Sequence, residues 1–242
     1  MAEVTPPWGT SGTFEDRRLR GPIGEFVVSA QSRALANFVG RIHERDILAV
    51  GAGSERAALL FARGGALVTA VQPGVASLAR ARQRAQAELL KIQFECARAD
   101  ALQFPDAAFD VAVGLHLLAH APDWRRCVAE LCRVARRLVI VDYYSAMSAS
   151  LPVSLGRRSL RAIGVNAATY RVFARGTIDR VFEAQGFRVR SVQRQFVLPL
   201  LLHQAVGSRR FTVKSEKFLD RLGLLKRFGT PIMLVAERIT PL

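Results

Sequence analysis

The stretch ILAVGAGSERAALLFARGGALVTAVQPG, from Ile47 to Gly74, decides the fold of this chain. It contains an apolar run, a glycine turn at Gly51, a helical pattern that stops at Gly64, and a second apolar run. An apolar run that leads through glycines into a helix is typical of a buried strand next to a ligand-binding turn. The stretch therefore predicts a strand, a helix and a second strand, with a small-molecule site at the first turn.

The same alternation continues along the chain. Apolar runs predict further strands, and helical spacing predicts helices between them. The predicted strands are 47–50, 67–71, 92–96, 109–114 and 138–142, and the predicted helices are 26–39, 57–63, 76–90 and 123–135. Strands that alternate with helices favour right-handed crossovers and a parallel sheet. We therefore predict a doubly wound α/β fold with helices on both faces, whose ligands bind beyond the carboxyl ends of the strands.

The pattern loosens after residue 145, where glycine and proline interrupt a segment that we interpret as a cap or insertion at 146–175. A helix at 177–184 and strands at 187–198 and 231–239 follow. Between these strands lies a basic helical insertion, whose apolar residues Phe211, Phe218, Leu222 and Leu225 we assign to core packing in preference to a membrane-facing surface. We predict one domain: 1–40 is a tail and a first helix, 41–145 is the cofactor-binding core, and 146–242 holds the cap segments and the C-terminal strands.

Composition narrows the classes of partner and the cellular location. The 242 residues carry a net charge of +15, which favours phosphate-bearing partners or contact with an anionic membrane surface. No basic stripe with interleaved aromatic residues is present, so nucleic acid is not favoured. The three cysteines include no C-x-x-C pair, and we find neither a secretory signal nor a membrane-spanning segment. We expect a cytoplasmic protein, with peripheral membrane contact as the alternative.

The turn Gly51, Ala52 and Gly53 lets backbone N–H groups approach a ligand closely, and the following helix favours a negative group there. Ser54 is the predicted cap of that helix. About twenty residues further on, the second strand ends next to Gln72 and Pro73, at a place where a carboxylate often binds ribose hydroxyls.

A third stretch of the sequence resembles a known protein family. The segment ADALQFPDAAFDVAV at 99–113, followed by LHLLAHAPD at 115–123, resembles the middle of class I S-adenosylmethionine-dependent methyltransferases, in particular the group that contains the quinone and sterol C-methyltransferases. The resemblance extends through GPIGEF at 21–26, TIDRVFEAQGFRV at 177–189 and PIMLVAERI at 231–239. It implies a Rossmann-like seven-stranded sheet, mostly parallel with an antiparallel last strand, and S-adenosylmethionine as co-substrate with no metal.

Carried over position by position, the resemblance implies a set of cofactor-binding residues. Gly51, Ala52 and Gly53 line the methionine end, Gln72 and Pro73 meet the ribose, Asp100 and Ala101 meet the adenine, and Leu115 and His116 flank the cofactor. Three positions depart from the family pattern: Ala49 and Gln72 stand where acidic residues are usual, and Glu55 replaces a third glycine.

Four residues near the strand ends are candidates for catalysis: His116, Asp142, Tyr143 and Tyr144. His116 and His120 are four residues apart and would share one face if the segment were helical, but we see no third ligand and expect no metal.

The leading hypothesis is a methyltransferase that acts on a small hydrophobic acceptor of the lipid or quinone type. The alternative is a catalytically inactive methyltransferase-like binding or assembly subunit, with weakened or lost cofactor binding. A dinucleotide-dependent oxidoreductase is disfavoured, because the usual third glycine and the ribose-binding acid are both missing. The sequence leaves the acceptor, the methylated atom and the oligomeric state open.

Overall fold

The computed structural model describes residues 21–148, 155–156, 170–174 and 176–239. Within these ranges the chain forms an α/β fold, and the predicted strands and helices follow one another in the predicted order. The predicted N-terminal tail and most of the predicted cap at 146–175 lie outside the described residues.

The strands and helices have the following bounds. The strands are β1 (Asp46–Val50), β2 (Leu67–Gln72), β3 (Ile92–Cys96), β4 (Phe109–Gly114), β5 (Ala135–Ser145), β6 (Val172–Phe173), β7 (Phe187–Phe196) and β8 (Thr230–Arg238). The helices are α1 (Gly21–Val39), α2 (Ser54–Arg63), α3 (Val75–Ala87), α4 (Trp124–Val134), α5 (Thr177–Ala184), α6 (Leu200–Val206), α7 (Arg209–Arg221) and α8 (Leu224–Phe228).

The main sheet has the strand order β3-β2-β1-β4-β5-β8-β7. The first five strands in this order are parallel, and β8 is antiparallel to both of its neighbours. This arrangement confirms the predicted mostly parallel sheet with an antiparallel last strand. The two-residue strand β6, which pairs with the end of β5, is an addition that the sequence did not predict.

Both faces of the sheet are covered by helices, as the successive apolar residues of β1 show. Adjacent residues of a strand point to opposite faces. Accordingly, Leu48 and Val50 belong to a buried cluster with residues of α4 and α5, whereas Ile47 and Ala49 belong to a second buried cluster with residues of α1, α2 and α3. A strand buried on both faces is typical of parallel sheets.

The direction of the strands places two long connections at one edge of the sheet. Strands β5 and β7 are each antiparallel to β8, so they run in the same direction and both end at the carboxyl edge. The connection from Ser145 to β6, and the connection from Phe196 to Thr230 that contains α6, α7 and α8, therefore both begin at this edge. The edge is also where ligands bind in sheets of this kind.

The predicted core packing of the basic insertion is wrong for its central helix. Phe211, Phe218 and Leu222 are 39%, 60% and 58% exposed. The positions of α7 that turn inward are Thr212 and Glu216, which are both buried. Polar contacts rather than apolar packing thus fix the inner side of this helix. In the part of the chain that the structure describes, every helix is too short or too polar to span a bilayer.

Two phenylalanines test this assignment of the core. Phe182 of α5 is fully buried, so Phe182→Ala should lower the free energy of unfolding by ~3–5 kcal/mol. Phe218→Ala removes the same ring from an exposed position and should change the free energy of unfolding by no more than about 0.5 kcal/mol. Urea denaturation followed by circular dichroism measures both. Similar losses for the two variants would contradict the placement of Phe218 at the surface.

Candidate functional site

The carboxyl edge of the sheet gathers the residues that the sequence singles out. Each candidate lies at or just beyond the end of one of five neighbouring strands. Gly51, Ala52 and Gly53 follow β1, Gln72 and Pro73 mark the end of β2, Asp100 and Ala101 follow β3, Leu115 and His116 follow β4, and Asp142, Tyr143 and Tyr144 lie in the last part of β5. The strand order reverses between β1 and β4, so this is the edge where a crevice is expected.

The glycine turn after β1 packs directly on the turn after β4. The Gly53 N–H donates to the Leu115 carbonyl at 3.3 Å, and the Leu115 N–H donates to the Val50 carbonyl at 3.2 Å. Gly51 has φ +99°, and a Cβ added there would lie 2.6 Å from the Leu115 carbonyl oxygen. A Cβ added at Gly53 would lie 2.6 Å from the Leu115 Cβ. Both glycines are therefore needed for the two turns to meet.

The predicted capping role of Ser54 is wrong. Gly53 occupies the cap position of α2 and Ser54 is the first helical residue. The Ser54 N–H closes the turn by donating to the Gly51 carbonyl at 3.1 Å. The buried Ser54 Oγ has no hydrogen-bond partner among the described residues. The tight glycine turn therefore starts the helix one residue earlier than a cap at Ser54 would.

His116 is held by Asp142. The Asp142 Oδ1 accepts a hydrogen bond from the His116 N–H, and its Oδ2 lies 3.3 Å from the His116 Nδ1. Both side chains are 4% exposed. His116 has φ +54°, a left-handed conformation that is uncommon for residues other than glycine. The carboxylate thus fixes an unusual backbone conformation and places an imidazole near the glycine turn, since the His116 Cδ2 lies 3.1 Å from an added Cβ at Gly53.

The segment that carries the two histidines is not a helix. Residues 115–120 form a bend and a turn, so His116 and His120 do not share a helix face. The backbone bond from His116 to Asp142 and the positive φ of His116 divert the chain at this point. Among the residues that the structure describes, no group of three histidine, cysteine, aspartate or glutamate side chains is placed to hold a metal ion.

The two tyrosines of β5 have different surroundings. Tyr143 is buried with Phe173, the ring centroids being 5.9 Å apart, and belongs to the core cluster that includes Trp124. Tyr144 points to the opposite face and is partly exposed, with its ring centroid 4.8 Å from that of Tyr170. Tyr144 is therefore better placed than Tyr143 to meet a molecule at the carboxyl edge.

Asp100 is held in its charged form by Arg98. The guanidinium of Arg98 donates to both carboxylate oxygens, from Nε to Oδ1 at 2.9 Å and from Nη2 to Oδ2 at 2.6 Å. These hydrogen bonds hold the pKa of the Asp100 carboxyl below its usual range, and the charge of Arg126 adds to the effect. The side chain is 18% exposed. A carboxylate has room for more than two donors, so Asp100 can accept a further hydrogen bond from a ligand.

Helix α4 fixes the loop that follows Asp100. Glu130 accepts a hydrogen bond from the Leu102 N–H at 2.8 Å. Arg133 donates to the Leu102 carbonyl at 2.8 Å and to the Phe104 carbonyl at 2.7 Å, and it pairs with Glu130. The hydrogen bond from Arg133 lowers the pKa of the Glu130 carboxyl.

Sequence reasoning missed Arg98, Glu130 and Arg133. The spacing of Glu130 and Arg133, three residues apart on a helix, is the available signal of a pair. It does not indicate which loop the pair would hold.

The three departures from the family pattern lie in distinct places. Ala49 is fully buried in the apolar cluster beneath α2. The Glu55 carboxylate accepts a hydrogen bond from the Arg84 Nη1 at 2.8 Å, and Arg84 lies near the far end of α3. Gln72 is 5% exposed at the end of β2. Glu55 is thus engaged by a neighbouring helix, and Gln72 is the departure that lies at the predicted ligand edge.

Comparison with known proteins agrees with this geometry. Residues 48–141, which run from β1 into β5, match the family model described as a methyltransferase domain. The chain is 34% identical over 104 residues to a phosphatidylethanolamine N-methyltransferase of Cereibacter sphaeroides, a match that covers 41% of this chain and 51% of the relative. The chain spans about half or less of the length of the curated relatives it matches.

Solved structures share the fold of this chain. Magnesium protoporphyrin IX methyltransferase from Synechocystis PCC 6803, solved with bound SAH, superposes with a TM-score of 0.64 at 16% identity over 96% of both chains. The cyclase SpnF superposes with a TM-score of 0.60 at 20% identity, over 88% of this chain and 80% of its own. A cyclase catalyses a different reaction from a methyltransferase, so the shared fold does not decide the activity. The activity must be argued from the residues of the site.

The contact between the two turns can be tested at Gly51. Gly51→Ala should lower the free energy of unfolding, because the new Cβ meets the Leu115 carbonyl and the residue must keep a positive φ. Gly186→Ala is the matched control, since Gly186 also has a positive φ but has nothing within 4 Å of an added Cβ. We expect Gly51→Ala to cost ~1–3 kcal/mol more than the control in urea denaturation. Equal losses would mean that the close approach is unimportant.

Proposed function

We propose that this chain is an S-adenosylmethionine-dependent methyltransferase. The observation that carries the proposal is the Asp100 carboxylate, kept ionised by Arg98 on a loop fixed by α4, at the same edge as the glycine turn. A fixed, charged acceptor suits the exocyclic amino group of an adenine, because charge-assisted hydrogen bonds are the stronger ones. The methyltransferase domain match over 48–141 includes both features.

The other predicted cofactor contacts fit this assignment. Gly51 and Gly53 leave no side chain at the turn after β1, so backbone N–H groups there can approach a carboxylate closely. Gln72 is buried at the end of β2, the strand next to β1. This is the position proposed for the ribose. Leu115 and His116 lie against the glycine turn and flank the proposed cofactor on its other side.

The co-substrate supplies a methyl group that its sulfonium centre already activates, so the protein's main task is positioning. In the proposed site the glycine turn and Asp100 hold the two ends of the co-substrate. Where an acceptor must lose a proton, the His116 imidazole is the candidate base, because it lies near the glycine turn and the Asp142 Oδ2, 3.3 Å from its Nδ1, holds the ring in place. Tyr144 is placed to orient the acceptor.

We propose a small hydrophobic acceptor of the lipid or quinone type, reached at an anionic membrane surface. The similarity to a phosphatidylethanolamine N-methyltransferase supports a lipid-like acceptor. The connection that contains α6, α7 and α8 begins at the carboxyl edge, and apolar side chains of α6 and α7 are exposed to solvent. The acceptor would reach the methyl group from that side.

Isothermal titration calorimetry with S-adenosylmethionine and S-adenosylhomocysteine tests the co-substrate directly. Binding of both is expected. The absence of heat and of any thermal shift at millimolar ligand would overturn the proposal and favour the alternative, an inactive methyltransferase-like binding or assembly subunit.

Asp100→Ala tests the adenine contact. Loss of a charge-assisted hydrogen bond, worth ~1.5–3 kcal/mol, should weaken S-adenosylmethionine binding about 10- to 100-fold in the same titration. Asp106→Ala is the control, because Asp106 lies on the same loop but is 80% exposed. We expect the control to bind within about twofold of the unaltered protein, since an exposed ion pair contributes little. Unchanged binding by Asp100→Ala would remove the main support for the site.

Gln72→Glu tests the proposed ribose contact. A carboxylate at this position should tighten S-adenosylmethionine binding by roughly tenfold or more, because a charged acceptor replaces a neutral one. The free protein should unfold at a lower temperature, since the new charge is buried when no ligand is bound. Gln93→Glu places the same charge at an exposed position on the adjacent strand and should leave S-adenosylmethionine binding unchanged. If Gln72→Glu binds no more tightly, Gln72 does not face the ribose.

A further inference from the structure

Helix α7 exposes an apolar stripe beside a row of basic residues. We call this surface the basic apolar face and define it by Phe211, Phe218 and Leu222 in the stripe and by Arg210, Lys214, Lys217 and Arg221 in the row. All seven residues are exposed. Leu222 is the C-cap residue of the helix. The face therefore combines rings and aliphatic groups with positive charge on one side of one helix.

Helical geometry keeps the two parts of this face together. At 3.6 residues per turn, the three apolar residues fall within about 40° of one another around the axis. The four basic residues lie on one flank of the stripe, about 60–120° away from its middle. The buried residues Thr212 and Glu216 lie on the other flank. A stripe of this kind bordered by lysine and arginine is the pattern of helices that lie in a membrane interface.

The inner side of α7 is fixed by specific contacts, so the helix cannot rotate to bury its phenylalanines. Glu216 accepts hydrogen bonds from the Val197 N–H at 2.8 Å and from the Leu198 N–H at 3.0 Å. Its Oε1 also lies 2.9 Å from the His203 Nε2 of α6, which is almost completely buried. Rotation of α7 would leave this carboxylate and two backbone amides without partners.

Charge decides what fits the basic apolar face. No ion pair involves its four basic residues within the described ranges. The whole chain carries a net charge of +15. An occupant that offers both negative charge and an apolar interior would satisfy the two halves of the face at once, and a leaflet that contains anionic lipids does so.

We propose that the basic apolar face docks on an anionic lipid surface. Docking would tether the carboxyl edge to the leaflet, because the connection that holds α7 leaves the sheet at Phe196 and returns at Thr230, both on that edge. The proposal deepens the proposed function and rests on it for the acceptor that would be taken from the membrane. The contact itself does not depend on methyl transfer.

Vesicle sedimentation tests the docking surface. The full chain should bind vesicles that contain phosphatidylglycerol and should bind pure phosphatidylcholine vesicles at least tenfold more weakly. Phe218→Ser combined with Leu222→Ser should lower binding to the anionic vesicles by at least tenfold. Lys214→Ala combined with Lys217→Ala should lower it by about 25-fold, since each basic residue near an anionic leaflet contributes about a fivefold factor.

Matched controls lie at the amino edge of the sheet, opposite to the edge at which the connection that holds α7 begins and ends. Leu89 and Lys91 are exposed in the turn that leads into β3, at the amino edge of the sheet. Leu89→Ser and Lys91→Ala should bind the vesicles as the unaltered protein does. Circular dichroism and thermal melting check that all variants fold alike. Equal binding to both kinds of vesicle, or an equal loss in the control variants, would overturn the proposal.

Two further measurements separate the remaining outcomes. Sedimentation velocity without lipid detects a dimer, and a dimer that Phe218→Ser combined with Leu222→Ser abolishes would make the face an interface between two copies and overturn the lipid proposal. Titration with S-adenosylmethionine without vesicles reports on the proposed function alone. Intact S-adenosylmethionine binding with no vesicle binding rejects the docking surface only, and the reverse result rejects the proposed function only.

Discussion

The backbone hydrogen bond from Gly53 to the Leu115 carbonyl is the contact on which the carboxyl edge depends. It joins the turns after β1 and β4, the two neighbouring strands between which the strand order reverses. The bond forms because neither Gly51 nor Gly53 has a side chain that would separate the turns. Once Leu115 is fixed, His116 follows in a left-handed conformation that Asp142 of β5 holds in turn. One glycine turn thus sets the positions of residues on three strands.

The general arrangement could be predicted from the sequence because it depends on local patterns. The apolar runs from Ile47 onwards predicted the parallel strands, and the helix at 177–184 was predicted with the bounds observed. The resemblance in the segment that contains Asp100 predicted the antiparallel last strand. The individual strands and helices are visible in the sequence because each element buries a face that its own periodicity defines, whereas the antiparallel direction of the last strand was implied by the resemblance alone.

Contacts between distant residues could not be predicted in the same way. Glu130 holds the Leu102 amide across 28 positions, and Asp142 holds His116 across 26. Periodicity shows that a residue lies on an inner face but does not show which loop it meets there. For α7 the spacing of Phe211 and Phe218 showed that an apolar stripe exists. The stripe faces solvent because Glu216, on another side of the helix, is buried by its contacts with two backbone amides and a histidine.

The position of β8 has a consequence for how this architecture can diversify. Because β8 lies between β5 and β7 and runs against both, the chain between Phe196 and Thr230 forms an excursion that begins and ends at one edge of the sheet. This excursion can be lengthened, shortened or exchanged without a change in β1, β4 or the glycine turn. Changes in one contiguous segment of sequence can therefore alter the surroundings of the carboxyl edge, while the strands beneath it keep their order and direction.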